Sequence, residues 1–345
     1  MELDSGHYDH AVKMRMLILG RLASSAVSAA AALRIPDLLA ERSLTAAELS
    51  LRTGTPPHPL RRLLTALVAF EVLDEQPDGA FALTPFGTTL RSDVPGSAWA
   101  SARLAGGEVG RSWDGLLETL HTGRPAFDEI FGLDFFTYLG RDPELRSVFY
   151  ASQASDIEVT LEQLKSLGFA DHPTIVDVGG GDGALLAHLL IAAPASRGVL
   201  FDRPAVVEKA RVRVKAAGVG DRCAVVAGDF FSEVPEGGDL YVLRDILHDW
   251  TDKLCLDLLA VCRRAMPAHA TLAIIERTAD ERAPRGPHAR MVSLMDLYMM
   301  SVVDGRERTA GEFGRLLSDA GFEVRARHRL SSGAMVIEAG TPGAT

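Results

Sequence analysis

Apolar positions recur at spacings of three and four along residues 11–40, AVKMRMLILGRLASSAVSAAAALRIPDLLA, which predicts a helix. Small residues cluster over 23–32, where they would let a second helix approach closely. That stretch reads equally as a subunit interface or as a helix packed within its own domain. From 43 to 90 the rhythm shortens. Ser43, Leu44 and Thr45 open a short helix, with Thr45 as N-cap and Glu48 three residues on, the capping-box pattern. Gly54-Thr55-Pro56-Pro57 turns the chain into a second helix over 58–70. Two short strands, 72–75 and 80–83, are joined by a Pro-Asp-Gly turn. Helix, turn, helix and hairpin make a winged helix. Residues 101–170 read as helical and carry an aromatic cluster: Phe127, Phe131, Phe135, Phe136, Tyr138, Phe149 and Tyr150. These rings suit packing between elements, or a lid over a flat ligand.

Beyond residue 171 the pattern alternates between short apolar runs and helical periods, which predicts a parallel sheet covered on both faces. Strands are expected at 174–178, 198–202, 223–227, 240–243 and 271–275. Helices are expected at 184–192, 205–216, 254–265, 291–300 and 310–320. The last two strands, 322–329 and 334–338, are joined by Ser331-Ser332-Gly333, too short for a crossover, so they must form an antiparallel hairpin. The expected fold is α/β, a Rossmann-like sheet ending in an antiparallel hairpin, preceded by an α-helical winged-helix domain. The chain divides into 1–100, 101–170 and 171–345.

Composition narrows this picture. The 345 residues hold 36 Lys+Arg and 46 Asp+Glu, a net charge of −10, with 47% hydrophobic residues. Residues 1–100 carry 9 basic and 11 acidic side chains, a net of −2, so the remaining −8 falls on 101–345. The second helix of the winged helix, HPLRRLLTALVAF, has only Arg61 and Arg62 as cations. DNA binding needs clustered cations, so no nucleic-acid partner is expected and dimerisation is the better use of this shape. Cys223, Cys255 and Cys262 form no disulfide framework, which points to a reduced, cytoplasmic setting. The apolar run 22–33 is too short to span a bilayer, and the acidic start MELDSGHYDH lacks the basic region of a secretory signal. No membrane partner is expected.

Asp177-Val178-Gly179-Gly180-Gly181-Asp182-Gly183 falls at the first strand-to-helix turn of the sheet. Glycines there let the backbone pass close to a ligand and adopt positive φ. Gly179-x-Gly181-x-x-Ala184 also fits the dinucleotide fingerprint, so the loop alone suits NAD or S-adenosylmethionine. Asp177 lies inside the strand, two positions before the first glycine. Asp202 ends the second strand, 25 residues on, and suits ribose hydroxyls of either cofactor. Gly228-Asp229-Phe230-Phe231 ends the third, placing a carboxylate and a ring where an adenine would need them. With the closing hairpin, these features favour S-adenosylmethionine. As plain structure, Asp202 and Asp229 would be helix caps.

After the fourth strand comes Leu243-Arg244-Asp245-Ile246-Leu247-His248-Asp249-Trp250. Ligands of open parallel sheets lie beyond the strands' carboxyl ends, so His248 is a candidate base rather than a structural histidine. Glu276, in IIER, and Glu307, in Gly305-Arg306-Glu307-Arg308-Thr309, are the carboxylates that could orient it. The matching chemistry is methyl transfer to an aromatic hydroxyl. A phenol titrates near 10 and a histidine near 6.5, so full deprotonation is uphill by about 5 kcal/mol. A neighbouring carboxylate raises the histidine, a nearby sulfonium favours phenolate, and the base takes the proton as the methyl moves in line. HExxH and CxxC patterns are absent from the sequence, and no metal is expected. Met291, Met295 and Met299 recur at four-residue spacing, as a core stripe or as a clamp on a flat ring. With Phe131, Phe135 and Tyr298 they are candidates for contact with the acceptor.

The ordered set VDVGGGDG, FDRP, GDFF, LHDW, IIER and GRERT resembles the small-molecule O-methyltransferases dependent on S-adenosylmethionine, of the plant caffeic-acid type and of bacterial polyketide, phenazine and mitomycin tailoring. The resemblance spans residues 20–340. It implies a class I methyltransferase domain after a winged-helix dimerisation domain, and a homodimer whose partner helps close the substrate pocket. It also implies His248 as proton acceptor, assisted by Glu276 and Glu307. Asp202, Asp229 and Phe230 would bind the cofactor, and Asp177, Gly179, Gly181, Arg203, Gly228 and Arg244 complete that set. Arg244 stands where many relatives have lysine or serine. The expected acceptor is an aromatic or quinone-like hydroxyl of a secondary metabolite. The alternatives are N- or C-methylation, a cofactor-bound hydroxylase or decarboxylase, a dehydrogenase, and a winged-helix DNA-binding regulator.

Overall fold

The computed structural model describes residues 5–153, 157–279 and 285–343. Two compact units emerge, Met1–Arg111 with Ser147–Ser155, and Ser112–Arg146 with Asp156–Thr345. The helical stretch 101–170 is thus shared between them.

In the first unit, the helix expected across 11–40 runs from Ser5 to Ala32 and stops. Arg34 takes a left-handed φ of 58°, and Pro36, which cannot donate to a continuing helix, opens the short helix Ile35–Leu38. The capping box at Thr45 forms as expected and starts Ala46–Thr53. Pro57–Ala69 follows. The strands β1 (Leu44–Thr45), β2 (Leu73–Glu75) and β3 (Ala80–Leu83) pair antiparallel in the order β1-β3-β2. Leu49, Leu60, Leu64, Leu67 and Phe81 are fully buried between helices and hairpin. Each contributes about 1.5–3 kcal/mol by burial. The first helix is different: Met14, Met16, Leu17, Ile18 and Leu22 stand 57–74% exposed. A run of that size marks a contact surface.

The second unit is built on an 8-stranded sheet. Its strands are β4 (Thr174–Val178), β5 (Arg197–Asp202), β6 (Cys223–Ala227), β7 (Leu240–Arg244), β8 (Thr271–Ala279), β9 (Arg308–Thr309), β10 (Glu323–Arg329) and β11 (Ala334–Gly340). The order is β10-β11-β8-β7-β4-β5-β6, with β9 paired to β8. From β4 to β9 the pairs are parallel; β10 and β11 close the sheet as the expected antiparallel hairpin. Val176, Val178, Tyr241, Leu243, Leu272 and Ile274 are buried in its centre, as near-continuous apolar strands require. The chain steps from β4 to β5 and β6, then returns across β4 to β7. That reversal opens a crevice beyond the carboxyl ends of β4 and β7, where open sheets bind ligands. β8 runs to Ala279, four residues past its expected end, because Thr278 and Ala279 pair with Arg308 and Thr309. Among the described residues, no helix is long and apolar enough to cross a membrane.

Candidate active site

The glycine loop leaves β4 with Gly179 and Gly181 at φ 74° and 59°. A Cβ on Gly179 would sit 2.5 Å from Ile246 Cδ1, and one on Gly180 would sit 2.7 Å from Asp177 Oδ2. The loop is therefore glycine by packing as well as by conformation. Asp202, at the end of β5, accepts the Gly181 amide at 2.8 Å and the Arg203 amide at 2.6 Å. Burial pushes its carboxyl up, and the two amides oppose. Asp177 is buried with Oδ2 lacking a hydrogen-bond partner. Burial lifts its pKa to about 7, against the pull of Arg244 and with the push of Asp202. Arg244 ends β7 and pairs with Asp245 at 3.4 Å. Gly228 follows β6, where a Cβ would meet the Phe201 ring at 2.4 Å. Asp229 caps its own turn by accepting the Phe231 amide at 2.9 Å. Phe230 packs edge-on against Phe231 and Trp250. Its Cε1 lies 3.6 Å from the Gly179 Cβ position, so ring and glycine loop adjoin. An orphaned, buried carboxyl oxygen beside a glycine cradle suits a cationic ligand.

His248 lies in the turn Leu247–Asp249 just past β7 and is 3% exposed. Its Nδ1 faces Glu276 Oε2 at 3.5 Å and Glu307 Oε1 at 3.7 Å, while Nε2 faces Asp249 Oδ1 at 3.5 Å. At these distances neither ring nitrogen makes a hydrogen bond, and Glu276 Oε2 and both Glu307 oxygens are also without one. The strand order explains the meeting: β8 lies beside β7, and β9, next to Glu307, lies beside β8. Burial disfavours a charged imidazole, but Glu276, Asp249 and Glu307 outweigh it and raise the His248 pKa well above 6.5. Burial pushes Asp249 up to about 7, with His248 opposing. Burial likewise raises Glu276. Its other oxygen, Oε1, accepts the amides of Ile246, Leu247 and His248 at 3.0, 2.6 and 3.3 Å, so this carboxylate holds the turn as well as facing the ring. Asp245, His248 and Glu276 bring ligand atoms within 4.8 Å of one another, a proximity that acidic clusters often show without an ion.

The sequence missed three residues here. Asp249 adjoins His248 in the same motif and faces its second nitrogen. Asp296, an acid within the apolar stripe of Pro287–Val302, accepts the Glu307 amide at 2.9 Å. Arg308, inside GRERT, is fully buried. The local signals were an acid next to His248 and an acid on an apolar helix; Arg308 had none.

The aromatic candidates divide. Phe135 is 2% exposed, packed against Phe127 and Phe136, so it fills the ring cluster. Phe131 stacks at a tilt on Phe127, 4.5 Å between centroids. Phe136, on the helix Phe135–Arg141, lies between the Trp250 ring and the Arg203 guanidinium, 5.4 and 5.0 Å away. Along Pro287–Val302 the methionines run from exposed Met291 through half-buried Met295 to buried Met299. Tyr298 meets Trp113 edge-on, and burial and then Asp249 raise its phenol.

Comparison with known proteins decides what this site belongs to. Residues 113–323 match the O-methyltransferase domain, and residues 16–93 match the O-methyltransferase dimerisation domain. The chain belongs to the O-methyltransferase family. This enzyme, dependent on S-adenosylmethionine, is 41% identical over 330 residues to O-methyltransferase SfmM3 of Streptomyces lavendulae, covering 94% of this chain and 99% of the relative. Its fold matches the mitomycin 7-O-methyltransferase MmcR with a TM-score of 0.91 at 31% identity, over 98% of this chain and 99% of that one. It also matches NcsB1, an O-methyltransferase from neocarzinostatin biosynthesis solved with S-adenosylmethionine and 2-hydroxy-5-methyl naphthoic acid. There the TM-score is 0.77 at 32% identity, over 92% of this methyltransferase and 96% of that chain. The expected class I fold with an N-terminal dimerisation domain is therefore the observed one.

Proposed function

We propose that this methyltransferase moves the methyl group of S-adenosylmethionine onto an aromatic or quinone-like hydroxyl of a secondary metabolite, with His248 as general base. The observation that carries the reading is a buried imidazole facing three carboxylates, on the same sheet edge as a glycine loop with a buried, unpartnered Asp177 oxygen. When bound, the sulfonium cofactor supplies an electrophilic methyl group. Asp177, Gly179, Gly181, Asp202, Arg203, Gly228, Asp229, Phe230 and Arg244 would hold it. Asp202 suits the ribose and Phe230 the adenine.

His248 takes the hydroxyl proton. Its raised pKa narrows the gap to a phenol by about 1.4 kcal/mol per unit. The same shift moves the growth of the base form to higher pH. A cation held at the same sheet edge opposes the imidazolium and helps empty it. Glu276 and Glu307 then steady the proton on Nδ1's side, leaving alignment of oxygen, methyl and sulfur to the fold. Phe131, Met291, Met295, Tyr298 and Met299 would contact the acceptor ring, with Phe135 supporting them from beneath.

The dimerisation domain makes the enzyme a homodimer. The exposed face of Ser5–Ala32 and the exposed Met291 and Leu294 are surfaces a partner copy would cover, closing the substrate pocket. The winged helix serves that assembly and not DNA, since its charge is slightly negative. Three unpaired, buried cysteines suit the cytoplasm. The test is a panel of hydroxylated naphthoates, phenazines, anthraquinones and benzoates with labelled S-adenosylmethionine, read by product mass and methyl position. O-methylated product from an aromatic acceptor is expected. Methyl on nitrogen or carbon, or no transfer to any member of the panel, contradicts the reading.

A further inference from the structure

We propose that Arg308 is the positioning residue for His248, its guanidinium holding the backbone carbonyls on both sides of the imidazole. Arg308 is 0% exposed, and it is the largest of the fully buried side chains among the described residues. Nη1 donates to Leu247 O at 2.7 Å, and Nη2 donates to Trp250 O at 2.7 Å. Nε and Nη2 donate to Asp252 Oδ1 at 3.0 and 2.7 Å. Leu247 and Trp250 bracket His248 and Asp249. The clamp is completed by its neighbours: the Arg306 amide donates to His248 O at 2.9 Å. Gly305 lies so close that a Cβ there would sit 2.0 Å from that same oxygen.

A turn normally leaves several polar groups to solvent. Here the amides of 246, 247 and 248 go to Glu276, and the carbonyls of 247, 248 and 250 go to the 306–308 segment. The backbone of the turn is therefore held on both sides, and it sets where the imidazole starts relative to the carboxylates 3.5–3.7 Å from its nitrogens. Burying a guanidinium is costly without a counter-charge and acceptors in every direction, and Asp252 with two carbonyls supplies both. The planar fork meets these three acceptors from three separate nitrogens in fixed directions, which the single nitrogen of a lysine ammonium does not reproduce. Because Glu307 precedes Arg308, the segment that holds the turn also sets one of the carboxylates facing the ring. The role goes through His248, so it rests on the reading of His248 as base.

The test uses full-length protein with histidines labelled at ring carbon, S-adenosylhomocysteine as the bound probe, and the His248 resonance identified by its loss in His248→Gln. Its titration reports the distances to Asp245, Asp249, Glu276 and Glu307, which a merely structural residue would leave alone. In Arg308→Lys the His248 midpoint should fall by at least about one unit toward 6.5. Probe affinity should stay within about twofold of wild type, while turnover drops between about tenfold and a hundredfold. A folded Arg308→Lys with an unchanged midpoint overturns the proposal. If that variant does not fold, Asp252→Asn decides. Its target is half exposed, and it loosens the guanidinium without removing it. A shift of about half a unit in the same direction supports the clamp, and none overturns it. Failure of the base assignment reads differently: undiminished turnover in His248→Ala, with the titration of the parent unaffected.

Discussion

The carboxyl ends of β4, β5 and β6 and those of β7 and β8 are neighbouring stretches of one sheet edge, yet they are built by different means. The first set is made of backbone. Gly179 and Gly181 present amides and positive φ, and Asp202 receives the Gly181 amide, all within 24 positions of one another. The second set is made of side chains that meet from 28 to 61 positions apart: Glu276 and Arg308 both reach the turn of His248. The difference teaches what each half can tolerate. A backbone cradle fails when a side chain is added, whereas a side-chain cluster fails when its scaffold shifts.

The largest expected effect separates the halves by pH. The folded pKa of Asp177, about 7, lies above its ordinary 3.8, so the native state holds a proton that the unfolded chain releases. Stability from that proton is full below pH 4 or so and is lost as pH rises toward 7, by about 4 kcal/mol. The raised His248 pKa acts later: its contribution is full below about 6.5 and disappears at higher pH. Urea midpoints of Asp177→Asn should therefore flatten the acid-to-neutral decline, while His248→Gln changes the alkaline side and, by freeing Asp249 and Glu276 from the imidazole that holds them down, steepens the acid-to-neutral decline. Equal effects in one window would erase the distinction.

A pair of glycine substitutions cuts more finely. Gly305→Ala must push the His248 turn away, so turnover should fall about a hundredfold with S-adenosylhomocysteine affinity nearly unchanged. Gly179→Ala should instead act first on affinity, with a smaller loss of turnover where its Cβ presses on Ile246. Left-handed strain of about 1–2 kcal/mol weakens binding roughly tenfold. Calorimetry and initial rates on both variants check this, and a shared loss of affinity would show that the two halves are one.

The same contrast explains what could be read from the chain. VDVGGGDG, FDRP and GDFF are contiguous, so the glycine-loop side was legible as local pattern, and Ala184–Ala192 and Cys223–Ala227 lie where their patterns put them. His248, Glu276 and Glu307 were legible one by one, and the strand order brings them together. Arg308, Asp249 and Asp296 were not. Arg308 and Asp296 take their meaning from β9 pairing with β8 and from the contact of Pro287–Val302 with Glu307, both long-range events, while Asp249 adjoins His248 and only the turn aims it at Nε2. The end of the first helix at Ala32 did carry a local mark, Pro36, which the apolar periodicity of 11–40 ran across, whereas the choice between core and lid for Phe135 is made by tertiary packing.

The smallest effect concerns the helix after β9. Thr309 caps Ala310–Asp319 with a capping box, as Thr45 does in the other unit. Thr309→Ala and Thr45→Ala should each cost about 1 kcal/mol in thermal or urea unfolding and leave cofactor affinity alone. A fall in affinity for the first would tie that helix to the cofactor side.

The central claim is that a histidine among carboxylates accepts the acceptor's proton as the methyl moves. Single-turnover transfer from labelled S-adenosylmethionine, followed against pH in wild type and His248→Ala, tests it most directly. The account predicts a wild-type rate that climbs with pH through a midpoint above 6.5. The variant should be slower by about 10²–10⁴ and without that climb. A variant that keeps the wild-type rate, or the same rise with pH at any rate, would contradict it.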